Sequence, residues 1–187
     1  MISKPKLNSR TPTISPFNPD HFMAFSDNFL PEFDHEMKTT RSLLERVPFE
    51  KATWKPHDKS TGLGSLASHI ANLAGFGELI VTSDGRDFAP NNQPVRPAVF
   101  ENTQDLLSAF DSNVAKSRSA IQGLADDKLG VPWTLRAGDH VIFTLPRGAV
   151  LRSMLMNHII HHRGQLSVYL RLNEVPLPSI YGPTADT

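Results

Sequence analysis

The 187-residue chain has no cysteine, no net charge and no long apolar run. The absence of cysteine rules out disulfides, thiolate metal ligands and a cysteine nucleophile, so any metal must be held by nitrogen and oxygen; it does not identify the compartment. Nineteen basic residues balance nineteen acidic ones. No long-range field therefore gathers a polyanion or an anionic membrane surface, and no basic run is interleaved with aromatics, so nucleic-acid binding is not expected. Nowhere do roughly 18 apolar residues run together, as a membrane-spanning helix requires. The opening MISKPKLNSRTPTISPFNPD lacks the continuous apolar stretch of a secretory signal, and a cytoplasmic protein is expected. No internal repeat is visible.

The length suits one domain able to bury a core. Four prolines among the first nineteen residues disfavour helix, so 1–19 are expected to form an arm and 20–187 the domain. From Asn28, the residues Leu30, Phe33, Met37, Leu44 and Val47 recur on one helical face, with Pro31 in a first turn and Pro48 beyond the end. The second helix is expected to be capped by Ser60 or Thr61 and to carry Leu63, Leu66, Ile70, Leu73, Gly77 and Ile80 as one stripe. Residues 83–102 contain three prolines and no periodicity; a connection of that length is commonly a lid or disordered. A third helix runs from about Thr103 to near Gly123, with Leu106, Leu107, Phe110, Val114 and Ile121 on its buried side, followed by Leu124. VPWTLRAGDHVIFTLPRG alternates apolar and polar residues around AGD, which reads as a short β-hairpin or an ordered irregular crossover. After Pro146 the last long helix carries Val150, Met154, Leu155, Ile159, Leu166, Tyr169 and Leu170, and a proline-broken tail follows. The expected fold is all-α, a four-helix bundle with long crossovers; bundles commonly build metal sites from facing helices.

Three of the eight histidines lie within NHIIHHRGQ, Asn157 to Gln165. His158 and His162 are four residues apart, so on a helix their rings stack one turn above the other and can converge on one ion. They share a face with Leu151, Met154, Leu155 and Leu166. Such a pair alone is more often a packing accident than a ligand pair. His69, set between Leu66 and Leu73 on the second helix, adds a third inward imidazole. His161 departs from the Leu155, His158, His162, Leu166 line and is assigned to the site margin. Three neutral nitrogens from two helices could hold a divalent ion and leave positions open.

Two stretches resemble the DinB superfamily of helical bundles with a histidine metal site. WKPHDKSTGLGSLASHIANL is similar to the family's segment leading into its second helix, and NHIIHHRGQLSVYLRLNEVPLPSIYGPTAD to its ending. The likeness runs from Leu30 to the C-terminus, the middle third matching only in organisation. It implies a metal held by His69, His158 and His162, with no relation to the similarly named translesion polymerase. Relatives include thiol-dependent transferases and isomerases and metal-dependent hydrolases.

An ion with three histidine ligands, nickel or zinc foremost, is unsaturated, as catalytic sites are. A coordinated water would lose its proton near neutrality, and a thiol would be held as thiolate. Candidate groups beside it are His161, Gln165 and Glu78, with Glu78 more readily a solvated carboxylate. Arg163 could bind an anion, form an ion pair or anchor the tail, while the ring of Tyr181 and Trp54 read as packing. His57 belongs to a loop, and His21, His35 and His140 show no partner spacing. The expected protein is a metal-dependent enzyme for a small molecule, with a non-catalytic metal-binding stress-related or ligand-sensing bundle as the alternative. Bundles of this type often pair through apolar faces, so a homodimer is expected.

Overall fold

The computed structural model describes residues 23–187; the expected arm at 1–19 and His21 lie outside them. The helices α1 (Phe25–Leu44), α2 (Leu63–Leu73), α4 (Thr103–Gln122) and α6 (His158–Leu172) form the bundle, with the short α3 (Phe76–Thr82) following α2. Helix α1 packs on α4 and α6, and α2 packs on the same two, so α2 and α6 are neighbours. Among the described residues no helix is long and apolar enough to cross a membrane.

Helix α1 starts earlier than its apolar pattern predicts, and Pro31 lies inside it rather than in its first turn. The reason is non-local: the Phe25 amide donates to the Asp126 carboxylate at 3.1 Å, so an acid 101 residues away accepts from the helix end. Phe25, Phe29 and Phe33 then stack along the helix at 4.8 and 6.4 Å.

Neither Ser60 nor Thr61 caps α2; Gly62 holds that position without a side-chain bond. The first amides instead donate to the preceding turn, Leu63 to the Trp54 carbonyl and Gly64 to that of Ala52, both at 2.9 Å. A Cβ on Gly64 would lie 2.8 Å from the Ala52 Cβ, so this approach requires glycine.

The expected single helix over 63–80 is broken at Ala74 and Gly75 into α2 and α3. Side chains of α4 satisfy the backbone there. Ser117 Oγ donates to the Ala74 carbonyl at 2.5 Å and accepts from the Glu78 amide at 3.1 Å, while Asn113 Nδ2 donates to the Ala71 carbonyl at 2.9 Å. Helix α4 itself has its expected limits, because its cap is local: Asn102 Oδ1 accepts from the Asp105 amide at 2.8 Å and Asn102 Nδ2 donates to the Asp105 carboxylate.

The alternating segment is a hairpin, β2 (Pro132–Ala137) and β3 (His140–Pro146), turning at Gly138 with φ 59°. The crossing at 83–102 adds β1 (Gly85–Asp87), parallel to β2, which completes a three-stranded sheet in the order β1-β2-β3. The end of the crossing lies along α2. Asn72 Nδ2 donates to the Ala98 carbonyl at 2.7 Å, and the Phe100 amide donates to Ser68 Oγ at 3.0 Å.

The last rod differs from a uniform α-helix. It begins as α5 (Arg147–Val150), widens into a π-helical stretch at Leu151–Asn157, and becomes α6 at His158. The π stretch shifts the phase of Leu151 and Met154 relative to the histidines. His158 and His162 both stand on regular helix, so their one-turn relation holds.

Candidate metal centre

Leu155, Ile159, Arg163, Leu166 and Leu170 are buried and point α6 into the bundle. His158 and His162 flank that line, half-buried, on the side facing α2. His69 is half-buried on α2 between the buried Leu66 and Ile70. Because α2 and α6 are neighbours, the three rings meet. Their centroids are 5.4 Å apart for His69 and His158, 4.6 Å for His69 and His162, and 4.7 Å for His158 and His162. One ring nitrogen from each can be chosen so that all three lie within 4.8 Å of one another, a spacing that could hold a metal ion.

The electrostatics keep these imidazoles neutral. Burial, then the neighbouring histidines, pushes the His158 pKa down to about 4. Burial and the nearby His162 lower that of His69. Burial also lowers that of His162, against the pull of a hydrogen bond to Gln165. Neutral imidazole is the form that ligates a metal.

Each nitrogen set also shows how a ligand would be presented. His162 Nδ1 lies 2.7 Å from Gln165 Oε1; in the tautomer that donates this bond, Nε2 is left with its lone pair outward. His158 Nδ1 is buried without a hydrogen bond of full geometry, although the Met154 carbonyl one turn back draws its proton and raises its pKa. With Nδ1 turned to that carbonyl, Nε2 is the His158 nitrogen left to ligate, and an all-imidazole donor set fits a borderline divalent ion such as zinc or nickel.

The other candidates sit apart from this group. His161 is exposed, its ring 4.9 Å from that of His162. Glu78 is exposed on α3, and among the described residues no carboxylate joins the three histidines. His57 accepts from the Lys59 amide in its loop, and His35 and His140 are exposed. Trp54 packs edge-on to Tyr169 at 5.5 Å.

Arg163 is an internal strut. It is 2 % exposed and pairs at 2.5 Å with Glu36 of α1, itself 5 % exposed. The Tyr181 hydroxyl completes the group, accepting from Arg163 Nη2 at 2.6 Å and donating to Glu36 Oε1 at 2.9 Å. Tyr181 is 68 % exposed overall, yet its hydroxyl bonds to this pair and the Arg163 guanidinium lies over its ring at 5.2 Å, so both tie down the tail. The sequence reasoning missed Glu36. The available signal was an acid on the Phe33–Met37 buried face of α1, which requires a cation opposite.

The DinB family model matches residues 23–186. This chain belongs to the DinB family. A relative, the uncharacterized protein YrdA of Bacillus subtilis strain 168, is 26% identical over 168 residues, covering 86% of this chain and 90% of that protein. The crystal structure of a DinB-like protein from Bacillus cereus ATCC 10987 superposes with a TM-score of 0.62 at 20% identity, covering 83% of this chain and 97% of the other. That of the DinB-like protein YjoA from Bacillus subtilis gives 0.61 at 18% identity, covering 83% and 98%. These two structures share the DinB fold.

A cleft of about 610 Å³ opens beside the histidines, with His69 and His158 in its wall. Its size suits a small molecule. The outer part of its wall comes from the 83–102 crossing, through Arg86, Phe88, Val95, Arg96 and Pro97.

Proposed function

We propose that this DinB protein binds one divalent metal ion through His69, His158 and His162 and uses it to transform a small molecule held in the adjoining cleft. The observation that carries this reading is the position of His69 and His158, which belong both to the convergent triad and to the cleft wall. Three ligands leave coordination positions open. A bound zinc or nickel ion would supply Lewis-acid activation of a coordinated thiol or water.

Between the two routes, thiol-dependent transfer is favoured over hydrolysis. Hydrolysis calls, beyond the metal-bound water itself, for a group that orients it or protonates the leaving group, and of the three candidates Glu78 is exposed on α3, Gln165 is engaged with His162 and His161 is exposed at the margin. A thiol held as thiolate needs no such group. Two copies are proposed to pair through exposed apolar residues such as Val168 and Leu172 on α6, which are 55% and 56% exposed.

The test is elemental analysis of untagged protein, then of His69→Ala and His162→Ala. Near-stoichiometric metal in the parent and its loss in both variants is expected. Metal-loaded protein is then assayed against low-molecular-weight thiols with electrophiles, and against esters and amides. Full metal content with no turnover in any pairing would favour a ligand-sensing bundle over an enzyme.

A further inference from the structure

The cleft beside the histidines contains a feature that the metal centre does not use. Almost every arginine of residues 23–187 is partnered. Arg41, Arg118, Arg136, Arg147, Arg152, Arg163 and Arg171 each meet a carboxylate, and Arg46 donates to the Pro176 carbonyl. The two exceptions among the described residues, Arg86 and Arg96, both line this cleft.

Nearby acids are engaged elsewhere. Asp87 pairs with Arg136 at 3.3 Å and accepts from the Gly138 and Ala89 amides at 2.9 and 2.8 Å. Asp84 pairs with Arg147. Among the described residues no acidic side chain lines the cleft. The fold places the two arginines on two arms of one loop: Arg86 is on β1, and the Val95 amide donates to the Phe88 carbonyl at 2.8 Å, returning the chain beside itself just before Arg96.

The remaining wall is largely apolar, with Phe76, Leu79, Phe88, Val95 and Met154. Two asparagines also line it, but their amide groups donate to backbone carbonyls, Asn72 to Ala98 and Asn113 to Ala71. The charged donors of the wall are thus two guanidinium forks, whose planar geometry matches a carboxylate. Both forks also match a phosphate group, so the two anions are compared directly by titration.

We infer that the cleft takes a small carboxylic acid with an apolar body, its carboxylate held by Arg86 and Arg96 and its far end presented to the histidine centre. This assignment of substrate class rests on the reading of the cleft as the substrate site. It gives the 83–102 crossing a role in selecting the substrate.

The experiment is calorimetric titration of chelator-stripped protein with 3-phenylpropanoate, its uncharged isostere 3-phenylpropanamide, and phenyl phosphate. A hydrogen bond to a charged group contributes about 1.5–3 kcal/mol, so the amide should bind roughly 10- to 100-fold more weakly than the acid. Arg86→Gln and Arg96→Gln should each weaken 3-phenylpropanoate about tenfold, and the double variant more, while amide binding stays unchanged. Equal affinity for acid and amide, an unaffected double variant, a variant that loses both ligands alike, tighter binding of phenyl phosphate, or no binding of 3-phenylpropanoate would each overturn the inference. Because the titrated protein carries no metal, these results bear on the cleft alone. Unchanged metal content in His158→Ala would bear on the metal centre alone.

Discussion

The contact between Gln165 and His162 offers a sharp test of the metal reading, because Gln165 is exposed and carries little of the fold. Its Oε1 lies 2.7 Å from His162 Nδ1, at the short end of the N–H···O range, and raises the pKa of that ring. If Nε2 of His162 is a metal ligand, removing the acceptor frees the ring to turn and makes it a poorer donor. Changes of this kind reduce metal affinity about 10- to 100-fold. Water can partly replace an exposed amide oxygen, so Gln165→Leu should lie near the tenfold end, about 1.4 kcal/mol. Gln165→Glu, which supplies a charged acceptor, should bind at least as tightly as the parent. Zinc affinity is measured by competition with a chromophoric chelator at pH 7.5. The melting temperature of the metal-free protein provides the control: a surface substitution changes stability by about 0.5 kcal/mol or less, which is within roughly 2 °C for a chain of this size. Unchanged zinc affinity in Gln165→Leu, or weaker binding by Gln165→Glu than by Gln165→Leu, would refute the role of His162 as an oriented ligand.

Three further outcomes follow from the geometry. The His158 pKa is near 4 in the fold and 6.5 when exposed, so the unfolded chain takes up the proton first. Stability of the metal-free protein therefore falls as pH drops below 6.5 and levels off below about 4; the full linkage is about 3 kcal/mol, which solvent screening reduces to roughly half. Urea midpoints at pH 7.5, 5 and 4 should show a shallower decline in His158→Gln than in the parent, and parallel curves would contradict this. Glu36→Ala leaves a buried guanidinium without its partner and should cost about 3–5 kcal/mol in urea unfolding, whereas Glu36→Met with Arg163→Met should recover most of that. Ser117→Ala leaves the Ala74 carbonyl and Glu78 amide without their shared partner, and a loss of about 1–3 kcal/mol by chemical denaturation is expected.

What could be read from the sequence follows the range of each interaction. The limits of α4 are legible because Asn102 bonds to Asp105 three residues on, and the hairpin because Gly138 sits between alternating segments. The break between α2 and α3 is not, since the apolar stripe continues through it and the groups that stabilise it, Asn113 and Ser117, belong to α4. The early start of α1 depends likewise on Asp126. At the site, the His158 and His162 pair is legible from helical periodicity. Its meeting with His69 depends on α2 and α6 being neighbours, which spacing along the chain does not encode; there the family resemblance supplied what periodicity lacked. Arg86 and Arg96 escaped notice because an unpaired arginine is recognised only after all the others have found their carboxylates.

The buried ion pair and the histidine centre are joined through the rotation of one helix. Successive residues on an α-helix point about 100° apart, so His162 facing α2 leaves its neighbour Arg163 facing α1, where Glu36 receives it. A turn of α6 by only about 10° would carry a ring some 6 Å from the helix axis through roughly 1 Å, well beyond the few tenths of an ångström that metal–ligand distances tolerate. Apolar packing along Leu155, Ile159 and Leu166 tolerates such a turn, because dispersion contacts are non-directional and side chains can repack. The Glu36–Arg163 pair does not, since its bonds are directional and both groups are buried. The Glu36→Met/Arg163→Met protein, stable again yet without this angular constraint, should therefore fail to regain full metal affinity. On this reasoning the charges are kept in the core for the register of the histidines with α2, a use of buried ion pairs distinct from stability.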